Sequence, residues 1–241
     1  MQWKRSLGPL SVAVVALVAV ATSPAAAQST SSVTEKLIWG VNNNLLAVAI
    51  PITVLVEGIL FYTVWKFRNS DEAKPTQENR RLEVTWTITT ALVLLFVGVT
   101  AYGAMASDDV ITTQEDAQEA IESGNPAVVE VDAYQWGWQF NYDDGPQEAS
   151  TLVLPTDRTV VLELSSRNVI HSFHAPELGL KKDSFPGQKT YIKTTLTEEG
   201  TYTLYCAEFC GAGHSGMLAT IEVVDQETYN QWLQDPENTT L

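Results

Sequence analysis

Cysteine is almost absent from this chain: 241 residues contain two, Cys206 and Cys210, both in one short loop. In an exported domain the first reading of two cysteines is a disulfide. This one would close so tight a ring that it removes little entropy from the unfolded chain. Histidine is nearly as scarce, at His171, His174 and His214. Basic residues are few in the second half. From Asp108 onward, 23 Asp and Glu face six Lys and Arg (Arg158, Arg167, Lys181, Lys182, Lys189 and Lys193), a formal charge of −17. Such a surface repels phosphate backbones and excludes nucleic-acid binding. It suits a basic docking partner or a saline milieu, because strong net charge keeps a protein soluble. Long apolar runs are also missing beyond residue 106, and no internal repeat or low-complexity tract occurs.

The apolar runs are all in the first 106 residues. Met1–Gln28 has the form of a secretory signal: Lys4 and Arg5, then apolar Leu10–Ala21, then a small-residue cleavage site at Ala25-Ala26-Ala27. Residues 1–27 are therefore expected to be removed, the alternative being a third membrane helix. Leu45–Trp65 carries one charge, Glu57, and Val84–Met105 carries none. At about 1.5 Å per residue, each helix spans roughly 30 Å, the thickness of the hydrocarbon core. The loop between them, 66–82, holds Lys66, Arg68, Lys74, Arg80 and Arg81, five of the 14 basic residues. By the positive-inside rule that loop is cytoplasmic. The expected protein is a multi-pass component of the cell membrane, with residues 28–106 as a hairpin and residues 107–234 on the outer face.

Those outer residues read as β. Val128–Ala133, Gln135–Tyr142, Ser150–Leu154, Thr159–Ser165, Val169–Phe173, Lys189–Thr195, Gly200–Cys206 and Met217–Val224 are short runs rich in Val, Ile, Thr and aromatics, separated by turn residues. Seven or eight such strands predict a two-sheet sandwich with Greek-key links. A closing helix is expected at Asp225–Gln234 with Asp225 as its N-cap. The tail 235–241 is expected to lack regular structure.

Chemistry is concentrated in Cys206-Ala-Glu-Phe-Cys-Gly-Ala-Gly-His-Ser-Gly-Met217. Two thiols, an imidazole and a thioether within twelve residues form a soft donor set that suits copper better than hard cations. A structural zinc site wants four Cys or His ligands and has no use for Met217. A single blue-copper site takes one Cys, so this loop has one too many. Two thiolates can instead bridge two copper ions, with one imidazole on each. Gly211, Gly213 and Gly216 let the backbone wrap close around a compact cluster.

Cys-x-x-x-Cys-x-x-x-His-x-x-Met, preceded by Val-Ile-His-Ser-Phe about 35 residues upstream, resembles subunit II of cytochrome c oxidase, a haem–copper oxidase family. The resemblance covers the mature chain. It implies a cupredoxin-like sandwich behind a two-helix transmembrane hairpin, holding the dinuclear copper centre called CuA. Cys206 and Cys210 are then the bridging ligands and His171 and His214 the terminal imidazoles. Met217 is a weak thioether ligand, and Glu208 binds through its backbone carbonyl, its side chain reaching a magnesium ion at the border with subunit I. Trp136, in Tyr134-Gln-Trp-Gly-Trp-Gln-Phe140, matches the exposed tryptophan through which the donor's electron arrives. The family commonly shows His-Gln-Trp-Tyr-Trp, so Tyr134 and Gly137 are departures that leave the donor's identity open. Glu83 resembles the glutamate at the mouth of a proton path into subunit I, against a plain reading as a helix-start carboxylate favoured by the dipole. Asp183 resembles an acidic position facing subunit I, or is a turn residue before Pro186. His174 has no matching ligand role and reads as a partly exposed neighbour. Glu57, a carboxylate inside a membrane helix, calls for a partner that the sequence does not identify.

The resemblance implies, as partners, subunit I with its haem and second copper site, subunit III, and a donor that is a cytochrome c or a small blue copper protein. The implied activity is oxygen reduction coupled to proton translocation, the oxygen chemistry lying in subunit I. Three other readings share features. A quinol oxidase subunit II lacks the copper ligands. Nitrous oxide reductase is soluble and has a large catalytic domain. A stand-alone copper chaperone or tethered carrier has the ligands, and only association with a haem subunit separates it.

Overall fold

The computed structural model describes residues 30–70, 72, 75, 77–147 and 149–241. The expected signal segment 1–27 lies outside the described residues, as does Lys74. Two long helices come first, α1 (Val33–Phe67) and α2 (Arg80–Met105). Both are long and apolar enough to cross a membrane. Their side chains face outward almost throughout, with no buried residue on α2. Exposed Leu, Val, Phe and Trp on this scale mean that the helices are solvated by something other than water.

α1 is longer than the sequence suggests. It starts at Val33, twelve residues before the expected Leu45, so its 35 residues reach about 52 Å at ~1.5 Å per residue. The extra turns, which include Asn42-Asn43-Asn44, stand above the apolar span and carry the helix up to the β domain. Its N-cap Ser32 is fully buried and donates through Oγ to the Leu178 carbonyl at 2.6 Å. Thr34 donates to the Asp109 carbonyl at 2.8 Å, tying α1 to the segment that leaves α2. Gly179, at φ +66, lies directly against Glu35, where a Cβ would come within 2.9 Å of the Glu35 Cα. The start of α1 and the end of α2 therefore both meet the sandwich, and the basic loop lies at the opposite end of the hairpin.

A short helix follows, α3 (Gln114–Ser123). It is opened by a reciprocal capping box between Thr113 and Asp116 and buries Ala117 against Val161 and Tyr191. The sequence reading missed it. Among the described residues nine strands then form two sheets: β1 (Ala127–Tyr134), β2 (Gly137–Tyr142), β3 (Thr151–Pro155), β4 (Thr159–Ser166), β5 (His171–Ala175), β6 (Leu180–Ser184), β7 (Thr190–Thr195), β8 (Gly200–Cys206) and β9 (Leu218–Val224). One sheet runs β2-β1-β4-β7 and the other β3-β9-β8-β5-β6. β1 pairs parallel with β4, and β3 with β9, which is the crossing pattern of a Greek-key sandwich. Strict in–out alternation on β1 (buried Ala127, Val129, Val131, Ala133) supplies one inner face, and Phe173, Leu204, Ile221 and Val223 help to supply the other. Each buried Val, Leu, Ile or Phe among them stabilises the fold by roughly 1.5–3 kcal/mol. α4 (Gln226–Gln234) closes one end, capped by Asp225 as expected, with Trp232 edge-on to Tyr142 at 4.8 Å.

Strand β6 is the element that the sequence reading lacked. Leu-Lys-Lys-Asp-Ser carries three charges in a row and no alternation, yet it pairs along its length with β5. Asp183 is consequently a strand residue opposite Ser172, which corrects its alternative reading as a turn before Pro186.

Candidate metal centre

Adjacency in the second sheet assembles the site. β5 begins with His171, its neighbour β8 ends with Cys206, and the next strand, β9, begins one residue after Met217. All three ends are on the same edge of the sandwich, and residues 207–217 close over it. Two hydrogen bonds pin that loop at its base: Cys206 N–H donates to the Met217 carbonyl at 3.1 Å and Ala207 N–H to the Ser172 carbonyl at 2.9 Å. Within the loop, His214 N–H donates to the Gly211 carbonyl and Met217 N–H to that of His214, at 3.1 and 3.2 Å. Gly211 sits at φ +118, a conformation that side-chain-bearing residues rarely adopt.

The donor atoms converge. Both cysteines are free thiols, with their Sγ atoms 3.8 Å apart. His171 Nδ1 lies 3.7 Å from Cys206 Sγ and His214 Nδ1 lies 3.6 Å from Cys210 Sγ, one imidazole to each sulfur. Met217 Sδ is 3.8 Å from Cys210 Sγ, and the Glu208 carbonyl is 3.2 Å from Cys206 Sγ. A ring nitrogen of His171 and the two sulfurs all lie within 4.8 Å of one another. His171, Cys206, Cys210 and Met217 are buried, while His214 is half-buried with its ring edge against the exposed Phe209.

Burial sets the protonation states. It pushes the Cys210 thiol up to about 11, helped by the neighbouring Cys206, so without a metal this thiol is protonated at neutral pH. Burial and the facing His214 hold His171 below its ordinary value, which leaves the ring neutral with a lone pair to offer. Two thiols, two imidazoles and a thioether drawn together in this way are the donor chemistry of a thiophilic metal site. The six donor atoms suit soft metal and exceed what one zinc ion takes up.

All six ligand positions expected from the sequence are thus brought together. Trp136 joins them from the other sheet. It lies with Gln135 in the two-residue turn between β1 and β2, 45% exposed, and its indole N–H donates to the Cys210 carbonyl at 3.3 Å. Gln135 donates to the same carbonyl at 2.7 Å. The Tyr134 ring covers Gly137 so closely that a Cβ there would lie 2.7 Å from the phenol oxygen, and Arg167 stacks on it at 5.5 Å. The two departures from the family motif therefore compensate each other, one ring filling the space the other position leaves. His174 points away, its ring 5.8 Å from Tyr205 and its buried Nδ1 without a partner among the described residues. Glu83 is exposed in the first turn of α2, at the end far from the sandwich, and Glu57 is exposed on α1.

Sequence reasoning missed the residues that hold the ligands. Asn168 Oδ1 is 3.1 Å from His171 Nε2, and buried Trp138 meets the His171 ring edge-on with centroids 6.3 Å apart. Gln135 and Trp138 stand inside the aromatic motif around Trp136, a signal that could have pointed to them. No local pattern marks Asn168.

Both parts of the chain have known relatives. The family described as the transmembrane domain of cytochrome c oxidase subunit II matches residues 20–103, and that described as its periplasmic domain matches residues 147–224. The haem–copper oxidase subunit 2 of Aeropyrum pernix is 30% identical, over 85% of this chain and 92% of its own. Cytochrome c oxidase subunit 2 of Cereibacter sphaeroides is 27% identical, over 86% of this chain and 78% of its own. Among solved structures, the periplasmic domain of subunit II of the Bradyrhizobium japonicum cytochrome oxidase gives a TM-score of 0.43 at 22% identity, covering 47% of this chain and 96% of that one. With both its membrane hairpin and its sandwich matched, the chain belongs to the cytochrome c oxidase subunit II family, as a membrane-bound subunit of a haem–copper oxidoreductase complex.

Proposed function

We propose that this chain receives electrons from a soluble or tethered donor at Trp136 and passes them through a CuA centre to haem in subunit I. The observation that carries the reading is the convergence of two free thiols, two imidazole Nδ1 atoms, a thioether and a carbonyl in one largely buried cluster. Cys206, Cys210, His171, His214, Met217 and the Glu208 carbonyl would together hold the copper pair, with Met217 as a weak thioether ligand. Copper bound there supplies one-electron storage delocalised over two metals.

The protein's own part is to keep that exchange easy. The strand ends and loop hydrogen bonds hold the backbone of the ligand residues in advance, so little has to move when charge changes. Burial of His171, Cys206, Cys210 and Met217 keeps water from reorganising around the cluster. Trp136 offers a half-exposed aromatic face to a partner while its N–H touches the backbone of a ligand residue. Exposed apolar side chains flank the ligands in sequence, Val169 and Ile170 before His171 and Phe209 before Cys210, and the rest of the domain is acidic. An apolar contact within an acidic surround suits a donor with a basic rim, either a cytochrome c or a small blue copper protein.

The remaining assignments follow from the same reading. Residues 1–27 are a cleaved signal, the basic loop 66–82 lies in the cytoplasm and residues 107–234 face outward. Glu83, at the cytoplasmic start of α2, opens a proton path into subunit I. The exposed Glu208 carboxylate reaches a magnesium ion at that subunit's border, with subunit III completing the complex. Purification from the native membrane tests the whole. The chain should carry two coppers and co-purify with haem, and Trp136→Ala should slow donor oxidation without releasing copper. A copper-free chain, or one with no haem-bearing partner, overturns the proposal.

A further inference from the structure

We infer that Asn168 is the positioning residue for the His171 side of the metal centre and sets the donor strength of that imidazole. The inference rests on the copper reading above. Three contacts fix the Asn168 side chain and, through it, the histidine. Val169 N–H donates to Asn168 Oδ1 at 2.8 Å, which identifies that atom as the amide oxygen rather than the nitrogen. The same oxygen lies 3.1 Å from His171 Nε2. An acceptor already holding one N–H can meet Nε2 only as another donor, so His171 is the Nε2–H tautomer and Nδ1 keeps its lone pair. Nδ1 is the nitrogen that faces Cys206 Sγ.

The loop is built to hold this arrangement. Buried Ser166 donates through Oγ to the Val169 carbonyl at 2.5 Å and accepts from Asn168 N–H at 3.3 Å, closing a tight turn. Arg167 N–H donates to the Ala133 carbonyl at 2.9 Å, fastening the turn to the strand that leads into Trp136. Asn168 itself is exposed while His171 is fully buried, so the amide stands between the ligand imidazole and water. His214 has no such support. Among the described residues its second ring nitrogen has no hydrogen-bond partner, and its aromatic contact is with the exposed Phe209. The two imidazoles are therefore inequivalent, one locked and shielded, the other open. A neutral amide at this position polarises the His171 ring less than a carboxylate would and more than an apolar side chain would.

The test uses the full-length chain loaded with copper alone, comparing the parent with Asn168→Leu and the near-isosteric Asn168→Asp. Copper affinity is read by chelator competition, the midpoint potential by redox titration, and imidazole N–H exchange by NMR. Asn168→Leu should lose roughly 10- to 100-fold in copper affinity, raise the potential and speed exchange of the His171 N–H. Asn168→Asp should restore affinity and slow exchange, with a potential below the parent's. The ordering Leu above Asn above Asp is what a merely structural residue would not produce. Equal potentials and equal affinities in all three proteins would overturn the inference while leaving the copper reading intact. A parent chain that takes up no copper pair would sink both.

Discussion

Gly213→Ala isolates the contact between the donor-facing tryptophan and the ligand loop. Gly213 sits at φ −92 and ψ 5, which alanine tolerates, so the substitution carries no backbone strain of its own. The added methyl would, however, lie 2.5 Å from Trp136 Cδ2 and 2.6 Å from Cγ. Carbon atoms rest at about 3.5–4.0 Å, so one side must retreat by about 1 Å. The loop is held from within, because the Gly211 carbonyl accepts from His214 N–H and the Gly213 carbonyl from Gly216 N–H. The half-exposed indole is the part free to swing. Its N–H···O bond to Cys210 is already 3.3 Å long and does not survive such a shift. The lost bond costs about 0.5–1.5 kcal/mol, too little to unfold the domain. In the full-length copper-loaded complex, stopped-flow mixing with reduced donor should show slower electron uptake and an unchanged copper spectrum. Introducing Gly213→Ala into a Trp136→Ala background should add no further loss, since the clash has gone. Normal donor kinetics in Gly213→Ala, or an additive loss in the double variant, would refute the reasoning.

Met217→Leu replaces a fully buried side chain by one of similar volume, at a cost below about 1.5 kcal/mol, and the backbone hydrogen bonds of residue 217 are unaffected. Both coppers should remain, with a shifted potential; metal analysis showing loss of copper would count against Met217 as a weak ligand. Hydrogen bonds from the Thr228 hydroxyl and from the Thr228 and Glu227 N–H groups hold the Asp225 carboxyl below its ordinary 3.8. Its capping contribution is thus present above that value and lost as pH falls through the lowered one. In Asp225→Asn the thermal midpoint should therefore depend less steeply on pH below about 4; an identical acid limb would argue against the cap. Because the domain carries −17, donor oxidation should slow as salt rises from about 0.01 to 0.15 M, where the screening length falls from roughly 30 to 8 Å; a salt-independent rate would rule out electrostatic steering.

What the sequence made legible follows from how local each signal is. The ligand loop shows itself because four soft donors and three glycines fall within twelve residues, and the β domain does because its strands alternate. α3 was legible in principle, since Thr113 and Asp116 have capping-box spacing, but its acidic exterior and single buried Ala117 give almost no apolar stripe. β6 was not legible. Lys181-Lys182-Asp183 is stabilised as a strand only by its ladder to β5, a tertiary effect. The first turns of α1 escaped because Glu35, Lys36 and Asn42-Asn43-Asn44 interrupt their apolar residues, and they dock through Ser32, Thr34 and Gly179. Asn168 illustrates the same limit at the site, because its importance lies in which ring nitrogen it faces.

The central claim is that one electron is shared by two copper ions held between Cys206 and Cys210. Electron paramagnetic resonance of the full-length, copper-loaded chain tests it most directly. The account predicts an unpaired electron coupled equally to two copper nuclei, with two coppers per chain. Coupling to a single copper nucleus, or a silent sample whose two cysteines have oxidised to a disulfide, would contradict it.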